Sequence, residues 1–314
     1  MFDAASFVEK AVDDVKKQVK GKAVIAVSGG VDSTVAAKIG SMALGENLVA
    51  VYVDTGLMRK GESEFVNRLY GGMPLRFILV DAKEEFLDAL RGVVDPEEKR
   101  KIIGEKFIRI FERVAREENA SYLIQGTIAP DWIESGGELR DTIKSHHNVG
   151  GLPTDMALTV VEPLRHIYKD EVREVARYLK LAVAERQPFP GPGLAVRILE
   201  EIDEEKVDIV RRACAVVEEE IDAAWKSGMI EKPWQYFAVL LPVRSVGVRG
   251  DVRAYGYTIA IRSVDSVDAM TAVYSKLPHE LLEKMATRIT NEIREVNRVV
   301  YDISDKPPAT IEWE

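Results

Sequence analysis

Apolar residues along this 314-residue chain keep two alternating rhythms. Lys22–Val27 is a short, β-branched run that ends in Ser28-Gly29-Gly30, and from Asp32 to Leu44 the apolar Val35, Ile39 and Leu44 fall at helical spacing. The pattern predicts strand, tight loop, helix. It recurs: Leu48–Val53 predicts a strand, Glu62–Tyr70 a helix, Leu75–Val80 a strand, and Phe86–Leu90 opens another helical stretch. Pro96–Glu117 predicts a long charged helix, and Ser121–Gln125 a further buried strand before a Gly126-Thr127 turn. Such alternation implies an α/β fold with a doubly wound parallel sheet, whose ligands bind at the carboxyl ends of its strands.

Between residues 129 and 158 the periodicity dissolves into glycines, charges and two adjacent histidines. That stretch is too long for a plain connector and suits either an active-site lid or a disordered insertion. Tyr168–Leu181 is again helical, and Arg186-Gln-Pro-Phe-Pro-Gly-Pro-Gly193 then halts regular structure with three prolines and two glycines. We place a domain boundary there, giving residues 1–188 and 189–314. The second domain predicts a helix from Asp203 to about Trp225, strands near Phe237–Leu241 and Tyr255–Ile261, and a helix presenting Leu282, Met285, Ile289, Ile293 and Val296 on one face. A final strand spans Asn297–Ile303. A small α+β domain of this kind serves substrate binding or dimerisation.

Composition narrows the chemistry. A formal charge of −9 argues against a nucleic-acid partner. No run is apolar enough for a membrane span, and the acidic residues within Met1–Lys20 do not fit a signal peptide, so the expected location is the cytoplasm. Cys214 is the single cysteine, which excludes an internal disulfide and a cysteine-rich zinc site.

Ser28-Gly29-Gly30-Val31-Asp32-Ser33 sits where a strand hands over to a helix, so its bare backbone N–H groups and the helix dipole suit an anion, and Ser28 and Ser33 add hydroxyls. It lacks the lysine of a Walker loop and the spaced glycines of a dinucleotide fingerprint. Asp32 beside a polyphosphate is repulsive unless it holds a cation, Mg2+ being the candidate, or caps the helix instead. The hexapeptide resembles the PP-loop of the ATP pyrophosphatases, which split ATP between its α and β phosphates.

Further motifs resemble the GMP synthases within that family: Asp54-Thr-Gly-Leu-Met-Arg-Lys60, Pro96-Glu-Glu-Lys-Arg-Lys-Ile-Ile-Gly104, Gln125-Gly-Thr127, Pro130-Asp-Trp-Ile-Glu-Ser135, Ile143-Lys-Ser-His-His-Asn148, Val246-Gly-Val-Arg-Gly-Asp251 and Ser304–Glu314. The resemblance implies ATP and pyrophosphate at Ser28, Gly29, Gly30, Val31, Asp32 and Ser33, with Val53 and Gly126 beside them. It implies xanthosine monophosphate (XMP) at Arg100, Asp251, Lys306 and Glu312, with Lys306 on the phosphate and Glu312 on the base. Each has a plainer reading: Arg100 in a solvated charge run, Asp251 as a turn residue, the terminal segment as a frayed tail. Asp131 and Glu134 would lie near the catalytic centre, or else be surface charge. Lys144, His146 and His147 would stabilise phosphate charge and take up protons from ammonia.

The implied reaction adenylates XMP at O2 and then lets ammonia displace AMP. Cys214, among apolar neighbours in Arg211–Val217, reads as core and not as a glutaminase nucleophile. The chain therefore resembles the synthetase subunit of two-subunit GMP synthases, which take ammonia from a separate glutaminase, and it is expected to pair as a homodimer through its C-terminal domain. The competing readings are another PP-loop ligase, such as an NAD synthetase or a tRNA-thiolating enzyme, and a non-enzymatic ATP-binding protein.

Overall fold

The computed structural model of the chain describes residues 2–129, 158–267 and 269–314. Contacts divide it into two compact units. The first contains the chain up to Thr55, Gly61–Lys83 and Ile103–Arg186, and the second contains Gly56–Lys60, Glu84–Ile102 and Gln187–Glu314.

In the first unit β1 (Ala23–Ala26), β2 (Leu48–Asp54), β3 (Arg76–Asp81), β4 (Tyr122–Ile124) and β5 (Thr159–Val161) form one parallel sheet in the order β3-β2-β1-β4-β5. All seven residues of β2 are buried, which is why Leu48–Val53 reads as a continuous apolar run and not as an alternating one. The strand order reverses between β1 and β4. Ligands of open α/β sheets bind beyond the carboxyl ends of the strands at such a reversal, and here the two loops concerned are the one entering α2 (Val31–Leu44) and the one after β4.

On one face α1 (Ala4–Gln18) packs with α2 and α6 (Lys169–Tyr178). Helix α1 is absent from the sequence expectation. It buries Val8, Ala11, Val12 and Val15, and Asp3 caps it by accepting from the N–H groups of Ala5 and Ser6. Helices α3 (Glu62–Gly71), α4 (Lys83–Leu90) and α5 (Pro96–Glu117) follow the predicted spacing.

The second unit is built on a long hairpin. Strands β6 (Gln235–Arg249) and β7 (Val252–Asp265) pair antiparallel from Gln235↔Val264 to Arg249↔Val252, with a bulge between Leu241 and Arg244. Strand β8 (Val273–Tyr274) pairs antiparallel with the end of β7, and β9 (Val296–Tyr301) runs parallel to its middle. Helix α7 (Glu204–Lys226) packs on β6 and on α8 (His279–Glu292), which packs on β9.

The hairpin is longer than the apolar cores at 237–241 and 255–261 because its distal half is exposed and carries polar alternation. The expected apolar face of α8 is corrected in two respects. Leu281, Met285 and Ile289 are its buried positions, and the helix ends at Glu292, so that Ile293 is an extended cap and Val296 opens β9.

The Pro-rich segment ends in a 3-10 turn, Gly193–Arg197. Leu194 donates to the carbonyl of Leu57 at 2.7 Å, and Arg211 anchors the neighbouring carbonyl of Met58 at 3.1 Å. Gly193 has φ +67°, and a Cβ there would lie 2.3 Å from the Leu57 oxygen. Gly193→Ala therefore combines a left-handed backbone with overlap against a fixed carbonyl. It should lower stability by roughly 2 kcal/mol or more in thermal unfolding.

Candidate active site

The loop after β1 leaves donors bare at the start of α2. Gly30 is the N-cap residue and has no side-chain cap bond. The Gly30 carbonyl accepts from Thr34 Oγ1 at 2.7 Å, Ser33 Oγ at 3.2 Å and the Thr34 N–H at 3.1 Å. The Thr34 hydroxyl also bonds the Tyr70 hydroxyl at 2.9 Å. Burial pushes the Tyr70 phenol up, so it stays a neutral group. The Ser28 and Ser33 hydroxyls lie 3.3 Å apart, and the Gly30 N–H reaches Ser28 Oγ at 3.4 Å. Backbone amides, two hydroxyls and a helix N-terminus thus converge, a polar cradle that suits a phosphate group.

Asp32 lies in the first turn of α2, next to the loop, and makes no cap bond, so the capping alternative is corrected. Its Oδ2 meets Lys169 Nζ at 2.5 Å, while Oδ1 is buried without a hydrogen-bond partner among the described residues. Lys169 is the first residue of α6. Sequence reasoning passed over it because a lysine at a helix start reads as surface charge.

The structure brings Gly126 to the same place: a Cβ on it would lie 3.1–3.2 Å from backbone atoms of Asp32 and Ser33. Val53 is buried one residue before the end of β2 and pairs with Val80. Lys144, His146, His147, Asp131 and Glu134 lie outside the described residues.

A second group forms in the other unit. Arg100 is partly exposed on α5 and pairs with Glu97 at 2.5 Å. Its neighbour Lys99 is fully buried and donates to the Ile198 carbonyl at 2.6 Å and to Glu314 at 2.7 Å. Burial raises the Glu314 carboxyl, and the Lys99 and Arg100 charges pull it back. Glu312 accepts from Arg197 Nε at 3.1 Å and Nη2 at 2.8 Å, and from Gln235 at 2.7 Å, so both its oxygens are bonded.

Arg197 is fully buried, with its guanidinium 4.1 Å from the centre of the Phe237 ring. Burial opposes its charge, and the Glu312 carboxylate more than offsets this, holding Arg197 above its ordinary pKa. Lys306 bridges Ala272 through the backbone and donates to the Ala269 carbonyl at 2.8 Å. Asp251 lies in the turn between β6 and β7. Lys99 and Arg197 were missed. The signal for Arg197 was a lone arginine inside the apolar run Leu194–Ile198.

Removing the counter-charge of a buried guanidinium leaves it uncompensated. Glu312→Gln should therefore cost roughly 3 kcal/mol in thermal or urea unfolding, whatever its effect on nucleotide binding.

Two family models match the chain. "GMP synthase C terminal domain" covers residues 222–313, and "Thiamine biosynthesis protein (ThiI)" covers residues 18–182. A glutamine-hydrolyzing GMP synthase subunit of Thermoplasma acidophilum is 56% identical over 310 residues, 99% of this chain and 99% of that protein. The protein of the same name from Methanopyrus kandleri is 58% identical over the full length of both chains. Among solved structures, NMN synthetase from Francisella tularensis aligns with TM-score 0.49 at 16% identity, over 66% of this chain and 85% of its own. With the identity to the two GMP synthase subunits sustained from end to end, the chain belongs to their family.

Proposed function

We propose that the chain is a ligase that uses ATP to adenylate XMP at O2 and then lets ammonia displace AMP, giving GMP, AMP and pyrophosphate. The observation that carries this reading is the Ser28–Ser33 loop, whose donors converge at the point of strand-order reversal. The xanthine O2 is a poor leaving group. Its attack on the α phosphorus breaks the bond to the β phosphate, and charge gathers on the departing pyrophosphate. Preorganised amides and hydroxyls stabilise that charge without reorganising. In the second step ammonia adds to C2, the C2–O bond breaks towards AMP, and a proton is lost.

Asp32 fits a magnesium role: one of its oxygens is buried and unbonded, and magnesium typically uses one or two carboxylates together with substrate phosphates. When bound there, the ion would screen phosphate charge. Among the described residues no group of three or more His, Cys, Asp or Glu could hold a metal alone. Lys169 fixes the Asp32 carboxylate and supplies a cation beside the loop. We assign Lys144, His146, His147, Asp131 and Glu134 to the closing lid and proton handling, and Arg100, Lys306 and Glu312 to XMP. For Glu312 this role requires exchange of its Arg197 or Gln235 bonds for the base. We assign the enzyme to the cytoplasm on the nature of its substrates. No helix among the described residues is long and apolar enough to cross a membrane.

The thiolation reading, raised again by the ThiI match, needs a reactive thiol. Cys214 is buried, its sulfur bonds the N–H and the carbonyl of Ala238, and burial raises its pKa. The same burial removes it as a glutaminase nucleophile, so in our reading a separate glutaminase subunit supplies ammonia from glutamine.

The distal hairpin exposes Val246, Val248 and Tyr255 on one face, with Val246 opposite Tyr255 in the register. An exposed apolar sheet face suits a two-fold partner. Ten residues of β7 separate Val252 from Arg262, which holds the tail at the Thr310 carbonyl, a span of about 33 Å at strand rise. Asp251 therefore acts, in our reading, on the partner's nucleotide.

The purified chain should form GMP and AMP from ATP, XMP and ammonium, and none from glutamine until a glutaminase subunit is added. Asp32→Asn should cut turnover by orders of magnitude with little change in unfolding. GMP from glutamine and the chain alone would refute the two-subunit reading.

Sedimentation should give a dimer, and mixing inactive Asp251→Ala with inactive Arg100→Ala should restore about a quarter of wild-type activity, because half the dimers then hold one intact site. A monomer, or a mixture no better than either variant, removes the shared site.

A further inference from the structure

Two glycines in succession cannot hold their own conformation, because glycine populates both signs of φ freely. Gly29 nevertheless sits at φ +73°, and its carbonyl has an outside anchor. Arg186 Nη1 donates to the Gly29 oxygen at 3.2 Å and to Glu62 Oε1 at 2.9 Å, while Nη2 donates to Glu62 Oε2 at 2.7 Å. The guanidinium lies 4.1 Å from the centre of the Phe65 ring, and Glu62 is buried. Arg186 is itself fastened. Its N–H reaches the Val183 carbonyl at 3.2 Å, and its own carbonyl accepts from Arg173 at 3.5 Å.

In a trans peptide the C=O of one residue and the N–H of the next point in opposite directions. Holding the Gly29 carbonyl towards Arg186 therefore turns the Gly30 N–H the other way, to the side of the Ser28 hydroxyl. Glu62 does two things. It fixes the fork of the guanidinium bidentately, and its Oε1 lies 2.8 Å from where a Cβ on residue 29 would be, so a side chain there would push the carboxylate out of place. The pair also brings no net charge to the loop.

We propose that Glu62 and Arg186 are positioning residues that aim the Gly30 amide at the phosphate, a role that rests on the ATP reading above. Neither need touch the nucleotide. Lysine at 186 keeps the charge but offers a point donor instead of a fork, and it cannot hold both Glu62 oxygens and the Gly29 carbonyl in this geometry. Glutamine at 62 keeps the shape and loses the charge-assisted bidentate grip.

The test is steady-state kinetics of Arg186→Lys and Glu62→Gln with ATP, XMP and ammonium, together with inhibition by added pyrophosphate and thermal melting. Loss of one charge-assisted positioning bond corresponds to about 10- to 100-fold. We expect kcat to fall by that factor and the pyrophosphate inhibition constant to rise in parallel, with KM for XMP within about twofold of wild type and cooperative melting retained. Phe65→Leu, which loosens the stacked guanidinium without removing a charge, should shift both quantities the same way by a smaller factor. It carries the test if either other variant fails to fold.

Folded variants with wild-type kcat and pyrophosphate inhibition overturn the proposal. So does a loss shared equally by KM for XMP, which marks a general structural defect. Wild-type protein that forms no AMP from ATP would instead refute the function on which the pair acts.

Discussion

A cradle of backbone amides can bind a phosphate only if those amides are aimed at it and held by bonds that exchange readily, and the first unit is arranged around this constraint: the Gly30 N–H meets the Ser28 hydroxyl at a long 3.4 Å. Two loop carbonyls are held by side chains: Gly30 by Thr34 and Ser33, Gly29 by Arg186. Because peptide planes are rigid, fixing the carbonyls fixes the amides without contacting them. The close approach of Gly126 to Asp32 and Ser33 then brings the loop after β4 against the start of α2. The parallel sheet supplies the rest. Its central strands β1 and β4 stop at nearly the same level, so their following loops share one crevice.

The second unit solves a different problem. Its last residues, from Asp302 onward, form no named helix or strand, and they meet the sheet through the Asp302 N–H on the Ile261 carbonyl and the Ala272–Lys306 bridge. Their order comes instead from three buried cations. Arg262 donates to the carbonyls of Ser304 and Thr310, Arg197 clasps Glu312, and Lys99 meets Glu314. Desolvating three charges is costly in free energy, and apolar residues of similar volume often serve stability as well. What such pairs add is register. Each cation accepts only one stretch of tail, so Glu312 and Glu314 are set at defined places beside Arg197 and Lys99.

Much of this was legible in the sequence because parallel strands and amphipathic helices impose simple periods. Leu48–Val53 could hardly be anything but a strand buried on both faces, and Pro96–Glu117 carries its helix from end to end. The failures have physical causes. Helix α1 depends on a cap at Asp3 and a narrow stripe from Val8 to Val15, a weak signal in a charged segment. Strands β5 and β8 are three and two residues long, too short to show any period. In the site, glycines and hydroxyls betrayed the loop because the chemistry needs those residue types. The groups that hold it did not stand out: an arginine or a lysine reads as solvated charge until the fold brings Glu62 or Asp32 to it.

These pairings bear on how the site lets go. Near the loop, among the described residues, Lys169 faces Asp32 and Arg186 faces Glu62, so both of these cations arrive with an anion. The loop itself therefore offers the phosphates dipoles and hydroxyls, and these two pairs add little net positive charge beside it. Unpaired cations would hold a highly charged pyrophosphate more tightly after the bond to AMP has broken, and product release is the slow step of many enzymes. Oriented amides weaken steeply with distance and angle. They stabilise charge where the reaction creates it and give little hold once the product shifts. A loop aimed from outside by neutral ion pairs thus favours the transition state over the leaving product, which is the difference in binding that catalysis requires.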